Sequence, residues 1–459
     1  MNRQEIIAQL VEARLEKGIS QSELARMIGT QRSNISRLES GMQNPSLDMV
    51  LKIVSALGMT ASFTLEDKEE AMSNVYSLRI YDTELMKFTL EKRGLEGLVA
   101  EIISIQEEHI HLMPLDLERT GEGVIKWLER RVIPKNRTFV DEILKTLGLS
   151  HNDTKGIIDV CKGLSLNDSY WIVPAGFVGS FEQYNLYENR FSEMLALVAY
   201  TGAGQSNQAF TTSPELTTNG MLPKAWRFIE QDGIYLYKGG SSGASNSGRE
   251  PYCEYYASQI AETMKLNAVH YDLENWKGIT ASKCALFTSV DVSYVPIGRI
   301  IRTGGIQKCL DYYDGLGPEF GEQIRSMLVF DALIYNEDRH FGNFGILRDN
   351  HTGEVIAPAP IFDNGLSLLC YASRTDLESY EALVEYAKTR TTPYRLTFEE
   401  ICAEIMGAKQ KEQLRHMIGF RFQRHPSLNF SEEHLQMLEK ILESRVRKLL
   451  AIPAKRKKN

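Results

Sequence analysis

Apolar residues over positions 1–60 recur three and four apart and are cut by polar turns, the spacing of short amphipathic helices. One helix runs from about Arg3 to Lys17 and ends at Gly18. Ser20 starts a second, "QSELARMIG", with Glu23 three residues on, the signature of a capping box. Gly29 breaks the chain, Thr30 restarts it, and "QRSNISRLES" gives a third helix ending at Gly41. A fourth, in "NPSLDMVLKIVSALG", has Pro45 before its start and Gly58 after its end. "TASFTL" then alternates like a short strand, and the charged "EDKEEAMSN" reads as a linker.

Beyond Tyr76 the period changes. Strand-like "LEGLVAEI" and helix-like "GEGVIKWLERRVIP" alternate up to about Ser150, and Ser165–Pro174 reads as irregular and aromatic-rich. "SEMLALVAYTG" is a helix closed by Gly202, and "KAWRFIEQDGIYLYK" is a strand pair turning at Asp232-Gly233. A Gly/Ser segment, an amphipathic helix in "PYCEYYASQIAETMKL" and strands up to "YVPIG" follow. From Gly317 the pattern is helical apart from one interrupted passage. The expected fold class is multidomain α+β: an all-α domain over 1–66, a linker over 67–75, and a bilobal α+β region. That region divides into a subdomain over 76–160, an N-lobe over 161–290 and a helical C-lobe over 291–459.

Composition narrows the classes. At 459 residues, with 43% hydrophobic and 24% charged residues, the chain has the balance of a soluble globular protein of several domains. No apolar run is long enough to span a bilayer, and the charged start lacks the apolar core of a signal peptide, so no membrane partner and a cytoplasmic location are expected. A net charge of −8 is unhelpful to a protein devoted wholly to coating nucleic acid, but leaves room for a local DNA-binding face. Six scattered cysteines and nine dispersed histidines give no metal-ligand spacing, and the cysteines are expected to be reduced and buried. The terminal "KRKKN" reads as a solvated tail.

Gln21–Gly41 has helix-turn-helix spacing: a short helix, a tight turn near Gly29, and a second helix with exposed polar residues. "SQSELARMIGTQRSNISRLESGMQNPSLDMVLKIVSALG" resembles the lambda-repressor/Cro-type helix-turn-helix family across about residues 4–60. The resemblance implies that Arg32, Ser33, Asn34 and Arg37 face the major groove, where Arg pairs with guanine and Asn with adenine. It implies a phosphate contact for Gln21 and packing roles for Ala25 and Ile35. Such modules bind operator DNA as homodimers, and "ASFTLE" is available to pair with its symmetry mate or to contact the rest of the chain. The alternative is a four-helix module that binds protein rather than DNA.

The interrupted passage, "VFDALIYNEDRHFGNFGILRDN", carries the candidate chemistry. Asp338 and Asn343 lie five residues apart, and Asp363 follows in "PIFDNG". Protein kinases use one Asp beside the attacking hydroxyl, an Asn five residues on, and an Asp in a later D-x-G turn for magnesium. Alone the pattern is weak, since Asp and Asn also satisfy backbone amides in turns. The upstream order adds to it. Lys238 ends an apolar strand, and Glu254 follows sixteen residues later on a helix, with Glu250 as a second candidate. A polar loop, "TTSPELTTNGMLPKAW", precedes them and holds only Gly220.

This order, with "NEDRHFGNFG" and "PIFDNG", resembles the HipA-like serine/threonine kinases of toxin–antitoxin systems over about residues 160–450; the D-R-H-x-x-N string also resembles the phosphatidylinositol 3/4-kinase loop. The resemblance implies Asp338 as catalytic base, Asn343 and Asp363 as Mg2+ ligands, and Lys238, oriented by Glu254, on the phosphates of ATP. His340 either replaces the histidine of the usual H-R-D order or braces the loop. Leu286, Phe287 and Thr288 are implied at the adenine, in the link between lobes. Ser213, Thr217 and Thr218 are the loop hydroxyls open to autophosphorylation. The implied partner is a protein substrate, by resemblance an aminoacyl-tRNA synthetase. Two features depart from the family: a helix-turn-helix module on the same chain, and a loop with a single glycine. Two other readings remain, a transcription factor whose kinase fold senses nucleotide, and a lipid or small-molecule kinase.

Overall fold

The computed structural model describes residues 3–40, 46–59, 74–93, 97–150, 152–203, 212–244 and 246–453. The expected strand in "TASFTL", nearly all of the linker and the basic tail lie outside them. The chain forms two compact units, parted between Ser73 and Asn74.

The first unit is helical: α1 (Arg3–Glu16), α2 (Gln21–Met27), α3 (Arg32–Glu39) and α4 (Leu47–Ala56). Ser20 and Ser46 cap α2 and α4, each hydroxyl accepting from an amide three residues on at 3.2 Å. The expected reciprocal bond from Glu23 is not formed, so Ser20 is a plain cap. Leu24, Ala25, Ile35, Leu38, Val50, Ile53 and Leu57 close a small core. Full burial of a Leu or Ile contributes about 1.5–3 kcal/mol, so this handful of side chains accounts for much of a short domain's stability.

Among the described residues the second unit contains three antiparallel sheets. β1 (Val75–Ile80), β2 (Thr83–Arg93) and β3 (Gly97–Ile105) form a meander, and β4 (Tyr170–Pro174) adds beside β1 to give the order β3-β2-β1-β4. β4 lies in the stretch expected to be irregular. Tyr170, Trp171, Ile172 and Val173 are all buried, so the alternation that marks a half-exposed strand is missing from the sequence. Helix α5 (Gly121–Glu129) covers β3, and α6 (Glu193–Thr201) packs on the next sheet.

That sheet has the order β5-β6-β8-β7, from β5 (Lys224–Ile229), β6 (Gly233–Gly239), β7 (Tyr271–Trp276) and β8 (Ile279–Ala285). Helix α7 (Glu250–Thr263) enters after Pro251 at its first turn and packs on β7 and β8. The remainder is mainly helical, as expected, and also holds a small sheet. β9 (Val292–Pro296), β10 (Gly345–Asp349) and β11 (Val355–Pro358) make a third sheet, and β10 begins directly after the D-R-H-F-G-N-F string. Helix α9 (Pro318–Ile334) packs on β11, and α8 (Gly305–Leu316), α10 (Tyr380–Lys388), α11 (Phe398–Ile405), α12 (Ala408–Arg415) and α13 (Glu432–Ala451) pack on α9 or on one another. α9 runs through the core with Val329, Phe330, Ala332, Leu333 and Ile334 fully buried, which gives the passage that follows a rigid base.

Candidate active site and DNA-binding face

Helix α9 stops at Tyr335, whose φ of 54° is left-handed backbone that non-glycine residues seldom adopt. The chain then turns through Asn336–Asn343 into β10. Asn336 accepts from the Asp338 amide at 3.1 Å, and the Asn343 Nδ2 donates to the Asp338 carbonyl at 3.0 Å. These bonds close the loop so that Asp338 and Asn343 stand together. Asp363 follows β11 and is also left-handed, at φ 58°. Two non-glycine residues in this sparsely populated region flank the site, where backbone strain often collects.

Lys238 joins the two halves of the cleft. From the end of β6 its Nζ lies 3.0 Å from Glu254 Oε1 on α7 and makes a short ion pair with Asp363. Glu254 is wholly buried, and its other oxygen accepts from the Asn364 amide at 2.7 Å. Burial opposes the charge on Lys238, but Asp363 and then Glu254 more than offset it, and its pKa stands well above the ordinary lysine value. Burial would likewise raise Asp363, yet Lys238 holds it well below the carboxylate range, so it is ionised. Asp338 is raised above its usual value by burial; His340 opposes this and Asp363 adds to it. Glu250 does not reach Lys238; its oxygens accept from Tyr371 and the Ser241 amide. His340 is exposed, and its Nδ1 accepts from the Gly342 amide at 3.0 Å, bracing the loop.

Sequence reasoning missed Arg339, which the structure makes the hub of this loop. It is fully buried, and its guanidinium bonds Asp331 of α9 at 3.0 Å through both Nε and Nη2. It also donates to the Asn343 carbonyl at 3.0 Å and to Asn364 Oδ1 at 2.6 Å. One planar side chain thereby fixes the helix, the Asp338–Asn343 loop and the Asp363 turn. A charged residue inside an otherwise apolar-flanked string was the available signal.

The loop before β5 is built around a second buried pair. Arg137 forms an ion pair with Glu215, and donates to the carbonyls of Glu215 and Lys224 at 2.9 Å each. Ser213 and Thr217 are buried; Thr217 donates to the Leu164 carbonyl at 2.9 Å. Thr218 is half-buried, donates to the Pro214 carbonyl at 2.6 Å and accepts from Trp226 Nε1 at 3.0 Å. Phosphorylation of Thr217 or Thr218 removes the hydroxyl proton that makes its bond, whereas Ser213 Oγ accepts from the Glu215 amide at 3.3 Å. Lys224 is buried too, and burial, with Lys238 adding to it, pushes its ammonium down to about 7.

Leu286 and Phe287 line a cavity of about 460 Å³ with Val269, His270, Lys283 and Pro360, and the lining includes none of Lys238, Asp338 and Asp363. Thr288 is buried and is not among the residues lining this cavity, its hydroxyl tied to the Leu166 carbonyl. The expected adenine trio is therefore split: two residues line this cavity and the third fastens the segment after β8 to residue 166.

On the first unit Arg32, Ser33 and Arg37 of α3 are exposed, with Asn34 half-buried and its amide donating to Thr30 at 3.0 Å. Gln21, expected on phosphate, instead donates to Glu39 at 2.9 Å. Glu39 also takes two bonds from Arg14, at 2.6 and 2.9 Å, so Gln21 ties α2 and Arg14 ties α1 to the end of α3. All six cysteines are free and buried. No helix among the described residues is long and apolar enough to cross a membrane.

The helix-turn-helix family matches residues 10–63. An uncharacterized HTH-type transcriptional regulator of Haemophilus influenzae is 39% identical over 57 residues, which are 12% of this chain and 58% of that protein. The chain thus spans little more than half the length of the curated relative it matches. Among solved structures, the Helicobacter pylori proinflammatory kinase CtkA is similar at 20% identity and a TM-score of 0.39, over 51% of this chain and 91% of that one. A Shewanella oneidensis complex of HipA, HipB and operator DNA is similar at 14% identity and a TM-score of 0.44, over 83% of this chain and 100% of that one. These two scores are low, and the chemistry of the second unit is read from its own residues. The match and the four-helix fold agree on the first unit: residues 10–63 are a helix-turn-helix domain.

Proposed function

We propose that the second unit is an ATP-dependent protein kinase acting on Ser or Thr, and that the helix-turn-helix domain binds double-stranded operator DNA as a homodimer. The observation that carries the kinase reading is one buried ammonium, Lys238, held between Glu254 and Asp363 beside the Asp338–Asn343 loop. In this reading Lys238 binds the phosphates of ATP, and Glu254 keeps it extended from β6. Asp338, with its raised pKa, accepts the proton of the substrate hydroxyl and aligns the attacking oxygen. Asn343 and Asp363 present oxygen donors of the kind magnesium prefers, and Asp363 is ionised. Among the described residues no cluster of three or more His, Cys, Asp or Glu is arranged to hold a metal, so the substrate phosphates would complete the coordination. Bound there, magnesium would neutralise charge on the β- and γ-phosphates. The cytoplasm, where DNA and ATP meet, is the expected setting.

Incubation of the full chain with γ-labelled ATP and magnesium, followed by mass spectrometry of the chain and of a host lysate, tests the reading. Phosphoserine or phosphothreonine on a protein is the expected product. ATP binding with no transfer to any protein would leave a nucleotide sensor in its place.

A further inference from the structure

Three arginines converge beside the Asp338–Asn343 loop and take no part in the roles described above. Arg299 sits in the short helix Ile297–Ile300, directly after β9. That helix is stitched to the loop. The Gly298 amide donates to the Phe341 carbonyl at 2.8 Å, and the Tyr294 hydroxyl donates to the Gly342 carbonyl at 3.1 Å. A Cβ on Gly298 would stand 3.0 Å from both the Phe341 carbonyl oxygen and the Phe341 Cβ, so a glycine there permits the close approach. Arg302 follows the same helix, and Arg130 meets it from the end of α5.

One carboxylate gathers them. Asp116 is buried, and its Oδ1 accepts from Trp127 Nε1 at 3.1 Å. Its Oδ2 lies 3.6 Å from Arg130 and 3.5 Å from Arg299 and accepts a hydrogen bond from neither. Arg302 donates to the Asp116 carbonyl at 3.4 Å and forms an ion pair with Glu118. Three guanidiniums therefore stand against two carboxylates, on a chain whose net charge is −8. Each guanidinium carries five N–H donors in a fixed fork. Among the described residues the side chains of Arg130 and Arg299 donate no hydrogen bond, although they are only 35% and 17% exposed. Partly buried polar groups are ordinarily paired. Asp116 relieves the repulsion between the two forks and leaves their donors to an incoming acceptor, the condition for bidentate capture of an anion.

Phe341 is three residues from Asp338, so their Cα atoms lie within about 11 Å of each other. Resting on the kinase reading, we propose that Arg299 and Arg130 set the substrate class: they bind an anionic side chain, a carboxylate or a phosphorylated residue, about two to five residues from the Ser or Thr that receives the phosphoryl group. A purely structural arginine pair would only fasten Asp116 to the segment after β9, and the two roles separate by substrate.

The test is phosphorylation of peptides by the full chain with labelled ATP and magnesium. The peptides share one Ser and differ at a single flanking position, scanned on both sides, that carries Glu, phosphoserine, Gln or Arg. Wild type, Arg299→Gln, Arg130→Gln and Arg130→Glu are compared. At one or more positions wild type should favour Glu or phosphoserine over Gln by about tenfold or more in kcat/KM, carried by KM rather than kcat. Preference for Glu identifies a natively acidic substrate and preference for phosphoserine a previously phosphorylated one; either supports the inference. The two Gln variants should lose that preference while turning over the Gln peptide within about twofold of wild type, and Arg130→Glu should favour the Arg peptide. Wild type with no preference for an anion at any position, or variants that lose the Gln and Glu peptides in equal measure, overturn the inference. Transfer to lysate proteins with none to any anionic peptide also overturns it and leaves the kinase reading standing. Transfer to neither overturns the kinase reading itself, and this inference with it.

Discussion

Replacing Arg339 by Met should unhinge the Asp338–Asn343 loop, and the size of the effect follows from what the guanidinium touches. Asp331 is 3% exposed and takes both of its charged bonds from Arg339; after the replacement only the Asn336 amide, at 2.9 Å, remains to it. Breaking a buried ion pair from one side leaves an uncompensated charge, a loss of about 3–5 kcal/mol. The orphaned Asn343 carbonyl adds about 1 kcal/mol. Set against a typical domain stability of about 5–15 kcal/mol, this is enough to leave the variant marginal. Urea unfolding followed by tryptophan fluorescence reads the second unit alone, because Trp127, Trp171, Trp226 and Trp276 all belong to it. Neutralising the orphan in Asp331→Asn/Arg339→Met should recover part of the loss, giving clear non-additivity between the two sites. A single variant that loses less than about 1 kcal/mol, or a double variant that is simply additive, refutes the hub assignment.

Two further outcomes are expected. Arg37→Ala should weaken operator binding by about 1–3 kcal/mol and relax sequence preference, measured by titration of operator and scrambled duplexes; unchanged affinity and specificity would remove α3 from base readout. His434 is held neutral in the folded state, with burial and then Arg249 pushing its pKa down from 6.5 to about 4. The unfolded chain therefore binds the extra proton, so this stabilisation is fully present above pH 6.5 and is lost as pH falls from there through 4. The loss amounts to about 3 kcal/mol in all. Urea midpoints across that range should fall in wild type and fall less in His434→Leu.

The helices and hairpins were legible wherever one face meets water, because burial then imprints a period on the sequence. The β5–β6 turn at Asp232-Gly233 and the apolar spacing of α2 to α4 are examples. β4 was not legible, since a strand covered on both faces has no alternation to display. In the candidate site, Lys238, Glu254, Asp338, Asn343 and Asp363 were readable because they follow one another in the chain order that protein kinases use. The side chains that hold them were not. Arg339–Asp331, Arg137–Glu215 and Arg14–Glu39 join residues 8, 78 and 25 positions apart, and an arginine on the page does not announce whether it will be buried. Thr288 fits the same pattern, as its partner Leu166 lies 122 residues away.

The central claim is that Asp338 moves a proton while Asp363 serves the metal-bound nucleotide, and a pair of variants measured twice tests it. Asp338→Asn and Asp363→Asn are each assayed for Mg-ATP affinity by calorimetry and for phosphoryl transfer with labelled ATP. The account predicts that Asp338→Asn binds Mg-ATP nearly as wild type does while transfer falls about 10²–10⁴-fold. Asp363→Asn should lose both, because Lys238 and the metal site are damaged together. Full transfer by Asp338→Asn would contradict it.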